Sequence, residues 1–570
     1  MKTYVSNLSQ KKSRVYEYAY RATHLTPNFY SNYNIALGEH NLAAMVGFQL
    51  ESYKNRMLSG QRNDLISDDI PVLDQTTDVE NATLKGNYNE WCTVGFFGRV
   101  NYDYKERYLL EVNVRRDGSS RYRRDKRWIT SPSASLGWNI AREEFMKGTA
   151  DYIQLLKLRA SYGVLANQNA KSYYPTYLTM TTAAGKGDWL IDGLRPNTAA
   201  APGLISTSLT WEKIKTLNFG LDWGVLNNRL TGSFDIYSRT TKDMMGPGVD
   251  LPGTLGTSAP ATNNTDLVTK GWELQIGWKD RINEFQYGVS FNLSDSRTKI
   301  LKYPNLTGSL STYYEGQILG DIFGYETIGI AKTDEEMEAH LASLPNGGQN
   351  ALGSKWAAGD IMYADTNGDG KVSNGSNTIY DMGDLRKIGN STPRFRTGIS
   401  LDASWRGFAI SMFWQGVLKR DYYPDAKVGS ASTDLNFVFW GATSGGKSWS
   451  VVFDEHMNYF RDEDSRLGAN YDAYYPRPLW ANKNKSTQTR YLQNASYMRL
   501  KNLQLSYTFP AKWMRRAYIQ NLRLFVSGEN LLTFTKLSKT MDPETAGIGL
   551  KGGMVYPLSK TYSFGLSVTF

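Results

Sequence analysis

The sequence has few of the residues on which several protein classes depend. It contains one cysteine, Cys92, among 570 residues, so a disulfide within the chain is impossible. The four histidines are far apart and form no HExxH motif and no His–Cys cluster. GxSxG, a P-loop and a GxGxxG after a strand are also missing. These absences argue against an enzyme and against a metal centre built on histidine or cysteine.

Long apolar runs are missing as well. No run of about 18 apolar residues occurs, and the mean hydropathy is −0.47, which excludes a helical membrane protein. The chain is nevertheless 13% aromatic and contains 52 glycines without a three-residue period, so it is neither disordered nor collagen-like. A transmembrane β-barrel fits this composition, because its strands alternate lipid-facing and lumen-facing residues and their hydropathy averages out.

Positive charge exceeds negative charge, and the formal net charge is +10. The densest basic run consists of Arg121, Arg123, Arg124, Lys126 and Arg127. Asp125 interrupts this short run, and no nucleic-acid-binding motif accompanies it. A loop facing anionic lipopolysaccharide or solvent has the same composition, so we predict no nucleic-acid partner.

Period-2 alternation recurs along the chain and is strongest at the C-terminus. There Tyr562, Phe564, Leu566, Val568 and Phe570 alternate with small polar residues. The same pattern predicts six hairpins: 96–104 with 108–114, 134–140 with 156–164, 217–223 with 230–236, 272–278 with 285–293, 395–405 with 408–414, and 497–509 with 522–528. The phase slips near Asn502, which predicts a β-bulge.

The connections separate into two kinds. Most links within the hairpins are short, whereas the links between them reach tens of residues, as in outer-membrane barrels. With weaker strands at 16–20, 33–37 and 42–50, we count about sixteen strands. The fold class predicted is therefore all-β, an antiparallel transmembrane β-barrel with long extracellular loops, of which 294–394 is the longest.

Several ordered motifs resemble the C-terminal barrel of the SusC/RagA family of TonB-linked outer-membrane transporters from Bacteroidota. They include NYDYKERYLLEVNVRRDGSSRY (101–122), LKLRASYGVLANQ (156–168), DTNGDGKV (365–372), ASYMRLKNLQLSYTFP (495–510) and SGENLLTFT (527–535). The resemblance runs nearly from end to end.

This resemblance implies import of oligosaccharides or peptides across the outer membrane, a SusD-like lipoprotein as lid, and energy supplied through the TonB complex. Family members also carry a plug and a TonB box, which we do not find before Tyr16, and residues 1–20 show no apolar signal-peptide core. Plugged transporters have about 22 strands. We therefore expect residues 1–570 to form part of a barrel. A passive porin or a structural, adhesive surface barrel is the alternative.

One motif has metal-binding chemistry. Asp365, Asn367 and Asp369 take positions 1, 3 and 5 of an EF-hand-type loop, Gly370 takes position 6, and the Lys371 carbonyl takes position 7. Position 12 is Ser376, which is no bidentate ligand, but Asp381 and Asp384 follow, and family members extend the motif in a similar way. The sequence thus suggests a structural Ca²⁺ site. The alternative is a turn in which these side chains cap their own backbone.

Two tyrosine pairs fall in the long loops. Tyr422–Tyr423 and Tyr474–Tyr475 are placed where exposed aromatic rings could stack on sugars. Packing within the loops or at the membrane interface is the reading we prefer for them.

Overall fold

The computed structural model describes residues 13–67, 69–168, 173–183, 185, 187–249, 251–424, 454–479, 483–515, 518–546 and 558–570. Strands dominate these residues. They are β1 (Arg14–Leu25), β2 (Asn28–Leu37), β3 (His40–Leu65), β4 (Thr76–Tyr104), β5 (Tyr108–Ser119), β6 (Trp128–Asn139), β7 (Ile153–Asn167), β8 (Thr182–Ala183), β9 (Thr198–Ala199), β10 (Glu212–Val225), β11 (Leu230–Gly246), β12 (Thr262–Ile282), β13 (Phe285–Lys302), β14 (Asp321–Gly324), β15 (Thr327–Ile330), β16 (Ile361–Tyr363), β17 (Arg386–Asn390), β18 (Arg394–Trp405), β19 (Phe408–Lys419), β20 (Asp421–Tyr422), β21 (Gln493–Asn494), β22 (Tyr497–Thr508), β23 (Asn521–Thr535) and β24 (Thr561–Thr569).

Helices are short and few within the described ranges. The α-helices are α1 (Asp334–Ala342) and α2 (Ala511–Met514), and short 3₁₀ segments cover Ile140–Arg142, Glu144–Thr149, Gly253–Leu255, Asp454–Met457 and Thr489–Tyr491. No helix among these residues has the length and apolarity needed to cross a membrane.

The chain divides into two compact units. Unit 1 contains residues 1–137, 161–216 and 241–265, and unit 2 contains 138–160, 217–240 and 266–570. In unit 1, β3 pairs with β4 and β4 pairs with β5, both antiparallel. Strands β1 and β2 both pair with β3, on its second and first halves respectively. The break between them contains Pro27, which has no N–H to donate to the ladder. The weaker strands predicted at 16–20, 33–37 and 42–50 are confirmed.

In unit 2 the antiparallel neighbours run in the order β12, β13, β18, β19, β22, β23, β24. The β22–β23 register shifts between Leu500 and Asn502. This shift confirms the bulge predicted near Asn502. The alternating C-terminal segment is β24, which pairs with β23 along nine residues.

The short links contain residues with a left-handed backbone, some of which tolerate it well. Asn227 and Asn228 have φ values of 59° and 58° in the link between β10 and β11, and Gly407 has φ 88° in the link between β18 and β19. Asparagine and glycine adopt this conformation at low cost. The predicted short turns at these two places are therefore confirmed.

The segment predicted as the long loop 294–394 is partly regular structure. Strand β13 continues to Lys302, and the following residues contain α1, β14 paired with β17, and β15 paired with β16. Thr333 caps α1, because its side chain accepts a hydrogen bond from the Glu336 amide. A hydrophobic cluster, called here the loop core, joins this segment to residues that follow β20: Tyr325, Ile330, Leu344, Ile361, Tyr363, Val372, Phe460, Ala473, Tyr475 and Tyr491.

Candidate functional site

The long strands carry their apolar side chains on the exposed face. In β5, Tyr108, Leu110, Val112 and Val114 are exposed, and the residues between them are partly buried. A water-soluble protein shows the opposite arrangement for a one-sided strand. This exposed stripe is therefore a lipid-facing surface.

Strand β6 gives the extent of the lipid-facing surface across the membrane. Its exposed face runs from Trp128 through Leu136 to Trp138, with tryptophan at both ends. Ten residue rises cover about 33 Å along a strand. At a tilt of about 40° they span about 25 Å of membrane, the height of the apolar band in outer-membrane barrels. The two tryptophans thus mark the two membrane interfaces.

The opposite face of the strands is polar and internally paired. In unit 2, the Arg159 guanidinium bridges two carboxylates, with Nε–Oδ2 2.8 Å to Asp222 and Nη2–Oδ2 3.0 Å to Asp235. Asn218 Nδ2 donates to Asp235 Oδ1 at 3.0 Å. A face with fixed charged networks suits a wetted lumen and not a lipid contact. Arginine and aspartate at lumen positions of predicted strands were a sequence signal for this network.

A polar cavity of about 310 Å³ lies in unit 2 where β17 meets the ends of β13, β18 and β19. Its lining includes Ser296, Thr298 and Lys419 together with two paired cations. Lys387 pairs with Asp321 at 2.7 Å, and Arg394 pairs with Asp295. The cavity has a polar lining with charged side chains at its wall, and nothing in the local spacing of the sequence predicted it.

The acidic motif brings three of its predicted ligands together. One carboxylate oxygen from each of Asp365, Asp369 and Asp384 lies within 4.8 Å of the others. The Asp365 oxygens accept hydrogen bonds from the amides of Gly368 and Gly370 at 2.7 and 2.8 Å. The turn through Gly368 and Gly370 thus fixes the Asp365 carboxylate within the cluster. Carboxylate oxygens are the ligands that a hard cation such as Ca²⁺ prefers.

Backbone amides donate hydrogen bonds to the Asp365 and Asp384 carboxylates of this cluster. Burial raises the pKa of Asp365, but the amides of Gly370, Gly368 and Asp369 outweigh it, and the net pKa is lowered. Asp384 is fully buried, and its carboxylate accepts from the amides of Thr366 and Ser373, each at 2.8 Å. A buried carboxylate with such donors is held in a fixed position.

The other predicted ligands are placed differently. Asp381 lies outside this cluster, and its carboxylate accepts from the amides of Ser376 and Gly383. Asn367 Oδ1 accepts from the Asp369 amide at 3.0 Å, and the Lys371 amide donates to Asp369 Oδ1 at 3.1 Å. These contacts are the backbone-capping turns expected without a metal, and they leave the calcium site a prediction.

The tyrosine pairs are mainly packing residues. Tyr422 and Tyr475 are buried, and the Tyr475 ring stacks on Tyr491 at 5.6 Å between centroids. Tyr423 packs against the loop core, and the more exposed Tyr474 donates from its hydroxyl to the Arg490 carbonyl. The packing interpretation therefore holds for both pairs.

A buried ion cluster supports the loop core. Asp360 is fully buried and accepts from Lys483 Nζ at 2.6 Å, Arg477 Nη2 at 2.7 Å and Asn484 Nδ2 at 3.0 Å. More than a hundred residues separate the aspartate from its partners, so no local pattern in the sequence could reveal the cluster.

The known proteins that resemble this chain are membrane barrels, which agrees with the lipid-facing stripe and the polar opposite face of its strands. The family described as "TonB dependent receptor-like, beta-barrel" matches residues 3–387. The TonB-dependent receptor P3 of Formosa agariphila is 28% identical over 97% of this chain and 53% of its own length. The TonB-dependent receptor SusC of Bacteroides thetaiotaomicron is 27% identical over 96% of this chain and 50% of its own length. The chain thus spans about half the length of these relatives, which are named as receptors and not as enzymes.

The fold has a solved counterpart. The structure of the RagAB peptide transporter superposes with a TM-score of 0.76 at 23% identity, covering 97% of this chain and 56% of the other. The predicted all-β barrel class is confirmed. The chain belongs to the TonB dependent receptor-like β-barrel family, is of the SusC/RagA type, and is an outer-membrane protein.

Proposed function

We propose that this chain forms the barrel of a nutrient importer that takes oligosaccharides or peptides across the outer membrane. The observation that carries the proposal is the pairing of a lipid-facing apolar stripe with a charged, hydrogen-bonded inner face, in a chain of the SusC/RagA type. Polar cargo that enters such a lumen loses hydrogen bonds to water but can form new ones with these fixed polar groups. Its desolvation therefore costs little free energy.

We further propose the partners of this importer. A SusD-like surface lipoprotein covers the barrel, and the TonB complex drives transport. Support comes from the similarity to SusC and to the RagAB transporter.

Uptake by the full-length protein tests the importer. A deletion strain complemented with the full-length gene is grown on a panel of oligosaccharides and peptides, with and without tonB. Growth on a defined cargo that needs both genes supports the proposal. Cargo entry that persists without tonB identifies a passive porin, and no cargo dependence at all favours a structural barrel.

We also propose that Asp365, Asp369 and Asp384 hold a structural Ca²⁺ ion that stiffens the segment between β13 and β18. Carboxylate oxygens within 4.8 Å of one another support it. A thermal-shift titration with CaCl₂ tests the site: the protein is expected to gain stability, and the Asp369→Asn variant to lose that gain.

Asp381→Asn is the matched control for the calcium test, because Asp381 lies in the same segment but outside the cluster. It should keep the response to calcium. If the melting temperature of the wild-type protein does not change at millimolar Ca²⁺, the proposed calcium site is wrong and the motif is only a backbone-capping turn.

A further inference from the structure

The connection between β5 and β6 is strongly basic. Residues 121–127 contain five basic residues and one aspartate, a net charge of +4. Of these, Arg123, Arg124 and Lys126 are exposed, and Arg116 is exposed on the last part of β5. These four side chains are called the basic tip here.

Contacts with Trp211 hold the β5–β6 connection in place. Tyr122 is buried and packs on Trp211, with 5.5 Å between ring centroids. Trp211 Nε1 donates to the Arg127 carbonyl at 2.8 Å, and the Lys126 amide donates to the Arg123 carbonyl at 2.9 Å. The exposed cations are therefore presented by an ordered turn.

The basic tip begins where the lipid-facing stripe ends. Arg116 is the first charged residue after Val114 on the exposed face of β5. Its guanidinium carbon lies 5.6 Å from the centroid of Trp128, which itself stacks on Phe96 at 6.4 Å. Exposed tryptophan marks the level of lipid headgroups. Arg116 thus lies at headgroup depth, and the other three cations follow it along the chain.

The four cations of the basic tip lack ion-pair partners among the residues that the structure describes. In the part of the chain that the structure describes, none of its four side chains forms an ion pair with a carboxylate, whereas the neighbouring Arg115 pairs with Asp117 at 2.8 Å. Clustered like charges repel one another, and an anionic ligand removes that cost. An arginine guanidinium group can donate two parallel hydrogen bonds to the oxygens of one phosphate group.

The end of the strands at which the basic tip lies determines which membrane leaflet its side chains can contact. Strands alternate in direction, so the β5–β6 connection lies at the same end as the long connection after β7. Long connections are extracellular in outer-membrane barrels. The headgroups at this end are those of the outer leaflet, where lipopolysaccharide carries phosphate.

We propose that the basic tip binds the phosphate groups of outer-leaflet lipopolysaccharide, with Trp128 against the acyl-chain boundary. The site holds a lipid at the outside of the barrel and takes no part in cargo recognition. The proposal rests on the membrane location of the chain and is independent of the proposed import.

Binding of purified lipid A to the full-length protein in detergent tests the proposal, with native mass spectrometry and thermophoresis as readouts. The probes are lipid A with its phosphates, the same lipid A after phosphatase treatment, and inorganic phosphate. The Arg123→Gln/Arg124→Gln variant is expected to bind phosphorylated lipid A about 30-fold more weakly, since each cation near an anionic surface contributes about fivefold.

The matched control is Lys512→Gln/Arg515→Gln, which removes two exposed cations in and next to α2, in unit 2. It should bind lipid A as the wild type does. Heat-modifiable migration on gels confirms that each variant folds. Arg116→Gln, with an expected fivefold loss, is the second variant if the double variant does not fold.

Several outcomes would overturn the proposal. These are equal affinity for dephosphorylated lipid A, an equal loss in the control variant, or inorganic phosphate binding as tightly as lipid A. A double variant that keeps lipid A binding but no longer captures the surface lipoprotein would assign the basic tip to a protein partner instead.

Discussion

Replacement of Asp360 by asparagine is expected to destabilise the loop core while the barrel stays intact. Asp360 is fully buried, and the Lys483 side chain beside it is only 4% exposed. Asparagine preserves the shape of the aspartate but removes its charge. Lys483 then keeps the carbonyls of Ser354 and Lys355 and the face of the Trp356 ring, 4.9 Å from Nζ to the centroid, but loses its carboxylate partner.

The magnitude follows from the burial of both groups. Removing one partner of a buried ion pair costs about 3–5 kcal/mol, because the other charge stays desolvated. A loss of about 4 kcal/mol lowers protection against local opening by about a thousandfold. The Asp360→Asn/Lys483→Met double variant should recover much of this loss, since it removes the unpaired charge.

The assay is hydrogen–deuterium exchange, read by mass spectrometry, on the wild type and both variants. Amides of β15 and β16 report on the loop core, and those of β13 report on the barrel. Unchanged exchange of β15 and β16 in Asp360→Asn would refute the reasoning. So would a double variant that is destabilised as much as the single one.

The same cluster predicts a pH dependence. Burial raises the pKa of Asp360, but Arg477, Lys483 and Asn484 outweigh it, so the folded-state pKa is lowered. The stabilisation is therefore fully present above the unfolded pKa of about 3.9 and is lost as the pH falls through the lower folded pKa. The difference in loop-core exchange between the wild type and Asp360→Asn should not change between pH 5 and pH 8, and should shrink only in strong acid, where Asp360 itself is protonated.

Three further substitutions test other parts of the structure. Arg159→Met should lower the free energy of barrel unfolding by about 2 kcal/mol and with it the urea midpoint, because two carboxylates lose their shared donor; an unchanged midpoint would contradict this. Tyr475→Ala should destabilise the loop core by about 3–5 kcal/mol in the exchange assay, whereas a sugar-stacking role would change cargo binding alone. Gly565→Ala should destabilise β24 by about 1–3 kcal/mol, because a Cβ there overlaps the Phe525 ring. Gly86→Ala, where a Cβ meets only the Met57 carbonyl at 3.7 Å, is the control, and equal effects of the two would argue against the overlap.

Much of the strand pattern could be predicted from the sequence, because period-2 alternation is a local property. The alternating residues of β24 and the phase slip near Asn502 both correspond to features of the structure. The acidic motif was also visible, since Asp365 and Asp369 are only four residues apart. Its third member, Asp384, was one of two candidates, and only the folded segment separated it from Asp381.

The sequence by itself determined the fold class and the membrane environment, since both depend on which side chains alternate along a strand and how long the links are. The tertiary structure decided what depends on distant residues meeting. It joined Asp360 to Lys483, packed Tyr423 and Tyr475 into or against the loop core, and placed the Arg116 guanidinium over the Trp128 ring. Burial and charge pairing depend on three-dimensional distance, which local spacing along the chain does not contain.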